Sequence, residues 1–205
     1  MKADQSLSKA ERTRNMIIEK SAALFNQKGY SGTSMKDIMD ATGLSKGGLY
    51  GNFSSKEEVA VAAFLNAVET VDNEVRMRTS VIENTLDKLK AVVYFYKERI
   101  LDPPVEGGCP IQNTSVEADD NNPALRDSAI AVMDSWRERI VYTLHKGMKR
   151  GEVKMDVDAT DFAIRFIGTL EGGIMIAQLY KNVHFFDVLA RQLIEMIDAL
   201  RNNTK

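Results

Sequence analysis

The sequence predicts an all-α protein: an N-terminal three-helix domain followed by a larger helical domain, with about nine helices in total. Apolar residues recur at helical spacing through most of the chain, whereas no stretch alternates at the period of a β-strand. All four prolines fall between residues 103 and 123, so the rest of the chain lacks the strongest helix breaker. The helices are short at first and lengthen beyond residue 80. We therefore expect domains at 8–55 and 56–205.

The composition is that of a globular protein with a hydrophobic core. Of 205 residues, 44% are hydrophobic and 27% are charged. No apolar run reaches the roughly 20 residues that span a bilayer, and residues 1–14 lack the apolar stretch of a secretory signal. A single cysteine, Cys109, excludes an internal disulfide framework and suits a reducing compartment. We expect a cytoplasmic protein without a membrane partner.

Several classes of chemistry lack their sequence signatures. The two histidines, His145 and His184, lie far apart and have no metal-ligand cluster around them, so we predict no metal site and no cofactor. No catalytic triad pattern or phosphate-binding loop occurs, and Gly47, Gly48 and Gly51 do not follow a strand as a dinucleotide fingerprint requires. An enzyme is therefore not expected.

Charge is distributed unevenly along the chain. Residues 1–56 contain nine Lys or Arg against five Asp or Glu, a net charge of +4, and since the whole chain carries −2 the remainder carries −6. A basic N-terminal domain on an acidic remainder indicates that the first domain binds a polyanion. On charge alone, a solvated surface without a partner remains the alternative.

Capping patterns mark the first helices. Ser8 with Glu11 forms a capping box, and Gly29 is a stop for the helix that it opens. Thr33-Ser34 with Asp37 opens a second helix, which ends before Gly43.

A third short helix from Ser45 to about Tyr50 follows, and Ser54-Ser55 opens a fourth. Short helices joined by a turn that contains glycine are typical of a helix-turn-helix unit, with an accidental pattern in a helical bundle as the alternative. A recognition helix inserts its N-terminal end into a major groove about 12 Å wide. Gly47 and Gly48 would permit close approach of the backbone, and Lys46 can donate to guanine.

Beyond residue 80 we expect longer helices, with a break at the Pro- and Gly-rich stretch Asp102–Gly108. Asp158 with Asp161 is expected to cap one of them. The predicted helices are Val81–Leu101, Pro110–Ala118, Pro123–Arg150, Ala159–Tyr180 and Phe185–Leu200. The buried stripe expected on the third of these comprises Ile130, Met133, Trp136, Ile140, Leu144 and Met148.

The N-terminal segment resembles the TetR family of transcriptional repressors. The resemblance is carried by AALFNQKGY (Ala22–Tyr30), TSMKDIMDATGLSKGGLY (Thr33–Tyr50) and NFSSKEE (Asn52–Glu58), and it covers about 50 of the 205 residues without gaps.

The resemblance implies a regulator that binds a palindromic double-stranded DNA operator as a homodimer and is released by a ligand or an electrophile. The positions matching Thr33, Tyr50 and Lys56 hold DNA phosphates in that family, and Leu49 and Phe53 match core positions. The positions that face the groove match Ser45, Lys46, Gly47, Gly48 and Asn52. Asn52 departs from the family, because many relatives carry His or Tyr there. Activation in place of repression stays open, because the direction of regulation depends on where the operator lies relative to the promoter.

The predicted helix Ala159–Tyr180 contains glycines that would admit a second helix at close range, although each costs about 1 kcal/mol of helix stability relative to Ala. With the last helix it would form a four-helix bundle between two chains, and packing within one chain is the alternative. The expected dimer interface comprises Phe166, Gly168, Gly172, Met175, Leu193 and Ile197.

The middle of the chain is the predicted pocket for a small-molecule effector whose identity the residues do not specify. The pocket residues that we expect are Tyr94, Phe95, Cys109, Trp136 and Tyr142, with ordinary core packing as the alternative. Cys109 directly precedes a helix start, where amides and the helix dipole favour a thiolate. It is a candidate electrophile or redox sensor, or else a small buried residue.

Overall fold

The computed structural model describes residues 7–118 and 122–203, and this part of the chain forms nine α-helices. Apart from an isolated antiparallel bridge between Val153 and Arg201, the described residues contain no β-structure. The all-α prediction is confirmed. The helices are α1 (Lys9–Gly32), α2 (Met35–Thr42), α3 (Lys46–Tyr50), α4 (Lys56–Thr79), α5 (Thr85–Arg99), α6 (Pro110–Ala118), α7 (Pro123–Lys149), α8 (Ala159–Tyr180) and α9 (Val183–Asp198).

Local capping sets several of the helix starts as expected. The Ser8 hydroxyl accepts from the Glu11 amide at 3.2 Å, and the Glu11 carboxylate accepts from the Ser8 amide at 2.7 Å. Asp158 accepts from the amides of Thr160 and Asp161, and α8 has the predicted bounds. These helices begin where a side chain satisfies the amides that lack a helical partner.

Two predicted helix starts were wrong. Helix α5 begins at Thr85 and not near Val81, because the Asn84 side chain accepts from the Leu86 and Asp87 amides and caps the helix there. Val81 is 83% exposed. In the same way Asn182 accepts from the His184 amide, so α9 begins at Val183. Asn caps outweighed apolar periodicity at both positions.

The stripe predicted on α7 requires one correction. Ile130 is 52% exposed, whereas Val132 and Leu144 are buried. Residues spaced by four share a helix face, so Val132 is in line with Trp136, Ile140 and Leu144, and Ile130 lies off that face.

The chain divides into two compact units. The first unit comprises Met1–Thr70 and Val105–Ala129, and the second comprises Val71–Pro104 and Ile130–Lys205. The predicted 8–55 domain lies inside the first unit, which additionally contains the first part of α4, all of α6 and the start of α7. The functional division between residues 55 and 56 stays a prediction.

In the first unit, α1, α2, α3 and the start of α4 share one hydrophobic core. Ile17 of α1, Ile38 of α2 and Leu49 of α3 are completely buried, and Phe53 and Val59 complete the cluster. Burial of such side chains stabilises each by about 1.5–3 kcal/mol, which fixes the short helix α3 on its neighbours.

In the second unit, α9 packs against both α5 and α8. Phe166 and Ile174 of α8 are buried with Phe186 and Leu193 of α9. At Gly173 an added Cβ would lie 3.1 Å from the Phe186 ring, so this glycine permits the close packing of the two helices. Helix α8 is long and apolar enough to span a membrane by length and composition, and this buried face accounts for part of its apolar character.

The end of α1 is hydrogen-bonded to α6 and to the segment that precedes α6. The predicted stop at Gly29 is a break, with φ 74°, after which one further turn reaches Gly32. The Glu117 carboxylate of α6 accepts from the Tyr30 amide and, at 2.6 Å, from the Ser31 amide. The Asn26 side chain donates to the Glu106 and Gly108 carbonyls at 2.8 and 3.0 Å. The Glu117 bonds satisfy amides that the break leaves open, and the Asn26 bonds satisfy carbonyls of the segment before α6.

Gly107 is the tightest point of this junction, and we expect Gly107→Ala to destabilise the protein strongly. Its φ is +104°, and an added Cβ would lie 2.6 Å from the Asn26 carbonyl oxygen. Strain plus overpacking should cost about 2–5 kcal/mol, measured as a loss of thermal stability by circular dichroism. Gly151→Ala is the matched control, because φ there is +72° but nothing lies within 4 Å of an added Cβ. Equal losses in the two variants would contradict the packing argument.

Candidate nucleic-acid interface

Helices α2 and α3 are joined by a tight turn. Gly43 ends α2 in the left-handed conformation, with φ 73°, and its amide donates to the Met39 carbonyl at 2.8 Å. The Ser45 hydroxyl accepts from the Gly48 amide at 3.2 Å and caps α3. Two caps within three residues give the helix-turn-helix arrangement that the sequence predicts.

Three exposed residues, Ser45, Lys46 and Gly47, form the N-terminal surface of α3. An added Cβ at Gly47 would meet nothing within 4 Å, so packing within the chain does not require glycine there. Gly48 is half-buried, and its added Cβ would make ordinary contact with Leu44 at 3.6 Å. The backbone at Gly47 is open to close approach from outside.

Lys46 is the cation of this surface. Its Nζ lies 5.9 Å from the centroid of the Tyr50 ring, and it forms no ion pair with any residue that the structure describes. Other lysines nearby are paired: Lys28 with Asp37 and Lys36 with Asp40. The Lys46 charge is therefore available to an external anion.

Tyr50 is the last residue of α3, and Lys56 is the first residue of α4. Tyr50 is exposed, which leaves its hydroxyl accessible. The Lys56 ammonium lies 4.1 Å from the centroid of the Tyr30 ring, a cation–π contact that orients the side chain.

Thr33 has a different position from the one implied by the resemblance. It is 1% exposed, and its hydroxyl donates to the Gly29 carbonyl at 2.8 Å. Its side chain thus caps the end of α1 and is not presented at the surface.

The Asn52 side chain is also engaged within the fold. Its amide donates to the Gly48 carbonyl at 2.9 Å and closes the end of α3. The Asn52 backbone carbonyl accepts from the Arg14 guanidinium. A groove contact by the Asn52 side chain would first require its hydrogen bond to the Gly48 carbonyl to break.

Arg14 organises the corner between α3 and α4, although in the sequence it is only one of the nine basic residues of the N-terminal segment. Its guanidinium stacks 3.9 Å from the Phe53 ring centroid and donates to Glu58 at 3.0 Å. The Glu58 carboxylate also accepts from the amide and hydroxyl of Ser54, at 2.8 and 2.9 Å. The Ser55-x-x-Glu58 spacing is a capping pattern that marks Glu58, but no local signal marks Arg14.

Two carboxylates here have depressed pKa values. The Ser54 amide, the Arg14 guanidinium and the Ser54 hydroxyl hold the pKa of Glu58 below its ordinary range. Hydrogen bonds from Ser34 and Lys28 lower the pKa of Asp37. Both groups stay ionised at neutral pH and keep the caps in place.

The second unit contains a cavity of about 210 Å³ between α4, α5, α7 and α8. Of the predicted pocket residues in this unit, Trp136 lines the cavity; Tyr94 and Tyr142 are exposed, and Phe95 is buried elsewhere. The lining residues are Asp72, Val75, Arg76, Thr79, Lys88, Leu89, Val92, Tyr96, Trp136, Arg139, Ile140, Thr143, Phe166, Ile167 and Leu170.

Cys109 belongs to the first unit and does not line that cavity. It directly precedes α6, and its carbonyl accepts from the Asn113 amide at 3.1 Å, so it has the predicted place at the helix start. It is 6% exposed. Reactive cysteines are partly exposed, so its burial favours the structural role.

The predicted dimer residues fall into two groups. Phe166, Leu193 and Ile197 are buried within the single chain and belong to its core. Gly168 and Gly172 have nothing within 4 Å of an added Cβ, and Met175 is half exposed. Only the second group lies on an accessible surface.

A helix-turn-helix with an exposed, cationic recognition helix, joined to a helical unit with a cavity, defines the class of DNA-binding transcriptional regulators. A family model described as bacterial regulatory proteins of the tetR family matches residues 17–63, and one described as the tetracyclin repressor-like C-terminal domain matches residues 85–193. The chain belongs to the TetR family, as the sequence resemblance indicated.

Solved structures of similar proteins agree with this family assignment. A TetR-family transcriptional regulator from Cytophaga hutchinsonii is 34% identical, with a TM-score of 0.90 over 98% of this chain and 100% of that one. A TetR transcriptional regulator from Chloroflexus aurantiacus is 39% identical, with a TM-score of 0.90 over 95% and 98% of the two chains. Among curated relatives, the transcriptional repressor DhaR of a Mycobacterium species is 26% identical over 93% of this chain and 97% of its own length.

Because the folded-state pKa of Glu58 is depressed, its stabilising effect is present above its ordinary value of 4.5 and is lost as the pH falls further. We expect Glu58→Gln to lower the free energy of unfolding at pH 7 by up to about 1 kcal/mol, and to cost progressively less below pH 4.5. Urea denaturation between pH 3 and pH 7 measures this difference. Glu19→Gln, an exposed carboxylate of α1 without a bond to a described residue, is the control. A pH-independent loss in Glu58→Gln would contradict the assignment.

Proposed function

We propose that this regulator represses transcription by binding a palindromic operator as a homodimer, and that a small molecule in the cavity of the second unit releases it. The observation that carries the proposal is the N-terminal surface of α3, where Ser45, Lys46 and Gly47 are exposed and Lys46 has no carboxylate partner among the described residues. This arrangement suits entry into a major groove.

Each exposed group has a distinct role in the proposed complex. Lys46 donates to a base edge, and Gly47 lets the backbone approach the groove. Tyr50 and Lys56 bind phosphates, which position the helix without reading sequence. The net charge of +4 on residues 1–56 favours the polyanion. Repression is favoured over activation because the relative DhaR is named as a transcriptional repressor.

Release by an effector is proposed to act through α4. This helix begins at Lys56, and Asp72, Val75, Arg76 and Thr79 near its other end line the cavity. A ligand that shifts α4 changes the separation of the two recognition helices, whereas the operator fixes its half-sites about 34–36 Å apart. Tenfold weaker DNA binding requires about 1.4 kcal/mol of coupling. As a bacterial DNA-binding regulator, the protein is proposed to work in the cytoplasm.

We expect Lys46→Ala to weaken operator binding by about 1–3 kcal/mol and to relax base preference, because it removes a base contact. Lys56→Ala should weaken binding to all sequences alike and reduce the salt dependence. Fluorescence anisotropy with the operator and with random duplexes, across a salt series, measures both effects. Lys149→Ala, at the end of α7, is the control for loss of a surface cation.

Binding that is insensitive to salt, or equal for operator and random DNA, would refute the assignment of the interface. A Lys46→Ala variant that keeps its sequence preference would show that another residue reads the bases.

The dimer is proposed to form through the accessible face of α8. Ile164, Gly168, Met175 and Leu179 are exposed, and Gly172 has open space beside it, all at helical spacing along one face. Apolar side chains with small residues between them suit the close approach of the same helix from a second chain.

We expect Gly172→Glu to give a folded monomer, because an added Cβ at Gly172 has no atom of the chain within 4 Å, while the carboxylate would bring a charge into the interface. Sedimentation velocity measures the assembly, and circular dichroism checks the fold. Val81→Glu, which puts the same charge on an exposed residue outside α8 and α9, should remain dimeric. If Gly172→Glu stays dimeric and binds the operator normally, the interface lies elsewhere.

A further inference from the structure

We propose that the cavity of the second unit binds an amphipathic organic anion: a carboxylate with an aromatic or aliphatic body of about eight to twelve carbon atoms. The inference rests on the proposed function in that it takes this cavity to be the effector site. It goes further by assigning the chemical class of the effector from the side chains that line the cavity.

One part of the lining is apolar. Leu89 and Val92 of α5, Ile140 of α7 and Phe166 and Leu170 of α8 present hydrocarbon surface to the cavity. Trp136 and Tyr96 add aromatic surface. The volume of about 210 Å³ lies below the roughly 300–1,000 Å³ of pockets for drug-sized ligands, so the body of the ligand is small.

The carboxylate that lines the cavity, Asp72, is already neutralised. Its Oδ1 accepts from the Trp136 indole at 3.1 Å, and its Oδ2 accepts from Arg139 at 2.7 Å. Asp72 and Arg139 therefore compensate each other, and Asp72 is not available to a cationic ligand.

Two further cations line the cavity without such compensation. Arg76 of α4 is exposed at the edge of the cavity; it donates to the neutral Asn73 side chain at 3.1 Å, and within the described residues it has no carboxylate partner. Lys88 of α5 is half-buried and forms no ion pair or hydrogen bond with a described residue. A partly buried cation without a counter-charge favours an anionic ligand.

Neighbouring cations on the same two helices behave differently. Arg78 pairs with Glu98, Lys90 with Asp198 and Arg99 with Glu74. These neighbouring cations outside the cavity lining are thus paired, whereas Arg76 and Lys88 in the lining have no carboxylate partner among the described residues.

The two threonine hydroxyls in the lining already donate within their own helices. Thr79 donates to the Val75 carbonyl at 2.9 Å, and Thr143 donates to the Arg139 carbonyl at 2.8 Å. A neutral ligand would leave the half-buried Lys88 without a counter-charge, whereas a carboxylate supplies one and is also attracted by the exposed Arg76.

Matched ligands test the charge requirement. Isothermal titration calorimetry of the purified full chain without DNA would use 2-naphthoate and octanoate, each beside its alcohol and its primary amine. We expect the acids to bind at least about tenfold more tightly than their alcohols or amines. Lys88→Met and Arg76→Met should each weaken acid binding at least about tenfold, because each removes a charge-assisted hydrogen bond.

Two control variants keep the test specific. Lys88→Arg preserves the charge, so its affinity for the acids should stay within about threefold of the wild type. Lys90→Met removes a paired cation outside the cavity lining, and its affinity for the acids should also stay within about threefold. Equal binding of acids and alcohols, tighter binding of the amines, equal losses in Lys88→Met and Lys90→Met, or no saturable binding of either acid would overturn the proposal.

A parallel gel-shift assay separates this inference from the proposed function. Acid binding with the expected charge dependence, but without loss of the operator complex, supports the anion site and contradicts effector release. A wild type that binds the operator but neither acid contradicts the anion site and leaves DNA binding intact.

Discussion

The position of α3 depends on the side chains that it buries. A five-residue helix has too few hydrogen bonds to be stable alone, so its geometry comes from tertiary packing. Leu49 and the adjoining Phe53 are almost completely buried among Ile17 and Ile38, and the Arg14 guanidinium lies on the other side of the Phe53 ring. Ser45, Lys46 and Gly47 lie at the exposed N-terminal end of α3, and Leu49, buried in the core at the end of the next turn, fixes the position of that end.

A second constraint acts at the far end of α1. There the helix breaks at Gly29, and the exposed backbone amides are satisfied by Glu117 of α6. The contact at Gly107 is too close for any side chain. The first compact unit is therefore assembled from two separate stretches of chain, and polar bonds as well as apolar packing hold them together. A segment distant in sequence from the helix-turn-helix thus belongs to the same folded body.

Local features were predictable from the sequence and long-range ones were not. The capping boxes at Ser8 and Ser34 and the bounds of α8 depend on neighbours a few residues away, so a sequence pattern suffices. The partners of Arg14 and Glu117 lie 38 to 87 residues away, and no local pattern specifies them. Burial of Phe166 and Leu193 within one chain follows from which helix packs on which, and periodicity alone does not decide this. The same limit applies to the cavity, where helical spacing identified Trp136 but not Arg76 or Lys88.

Gly47 has a consequence for how such a regulator can diverge. Glycine in a helix costs about 1 kcal/mol relative to alanine, and an added methyl group at Gly47 would meet nothing in the fold. The chain thus keeps a residue that is unfavourable for its own helix at the point that would lie nearest to the DNA in the proposed complex. Substitution there changes the recognition surface while leaving the core intact and even favouring the helix. Operator preference can therefore drift, or be selected in the laboratory, without passing through unstable intermediates.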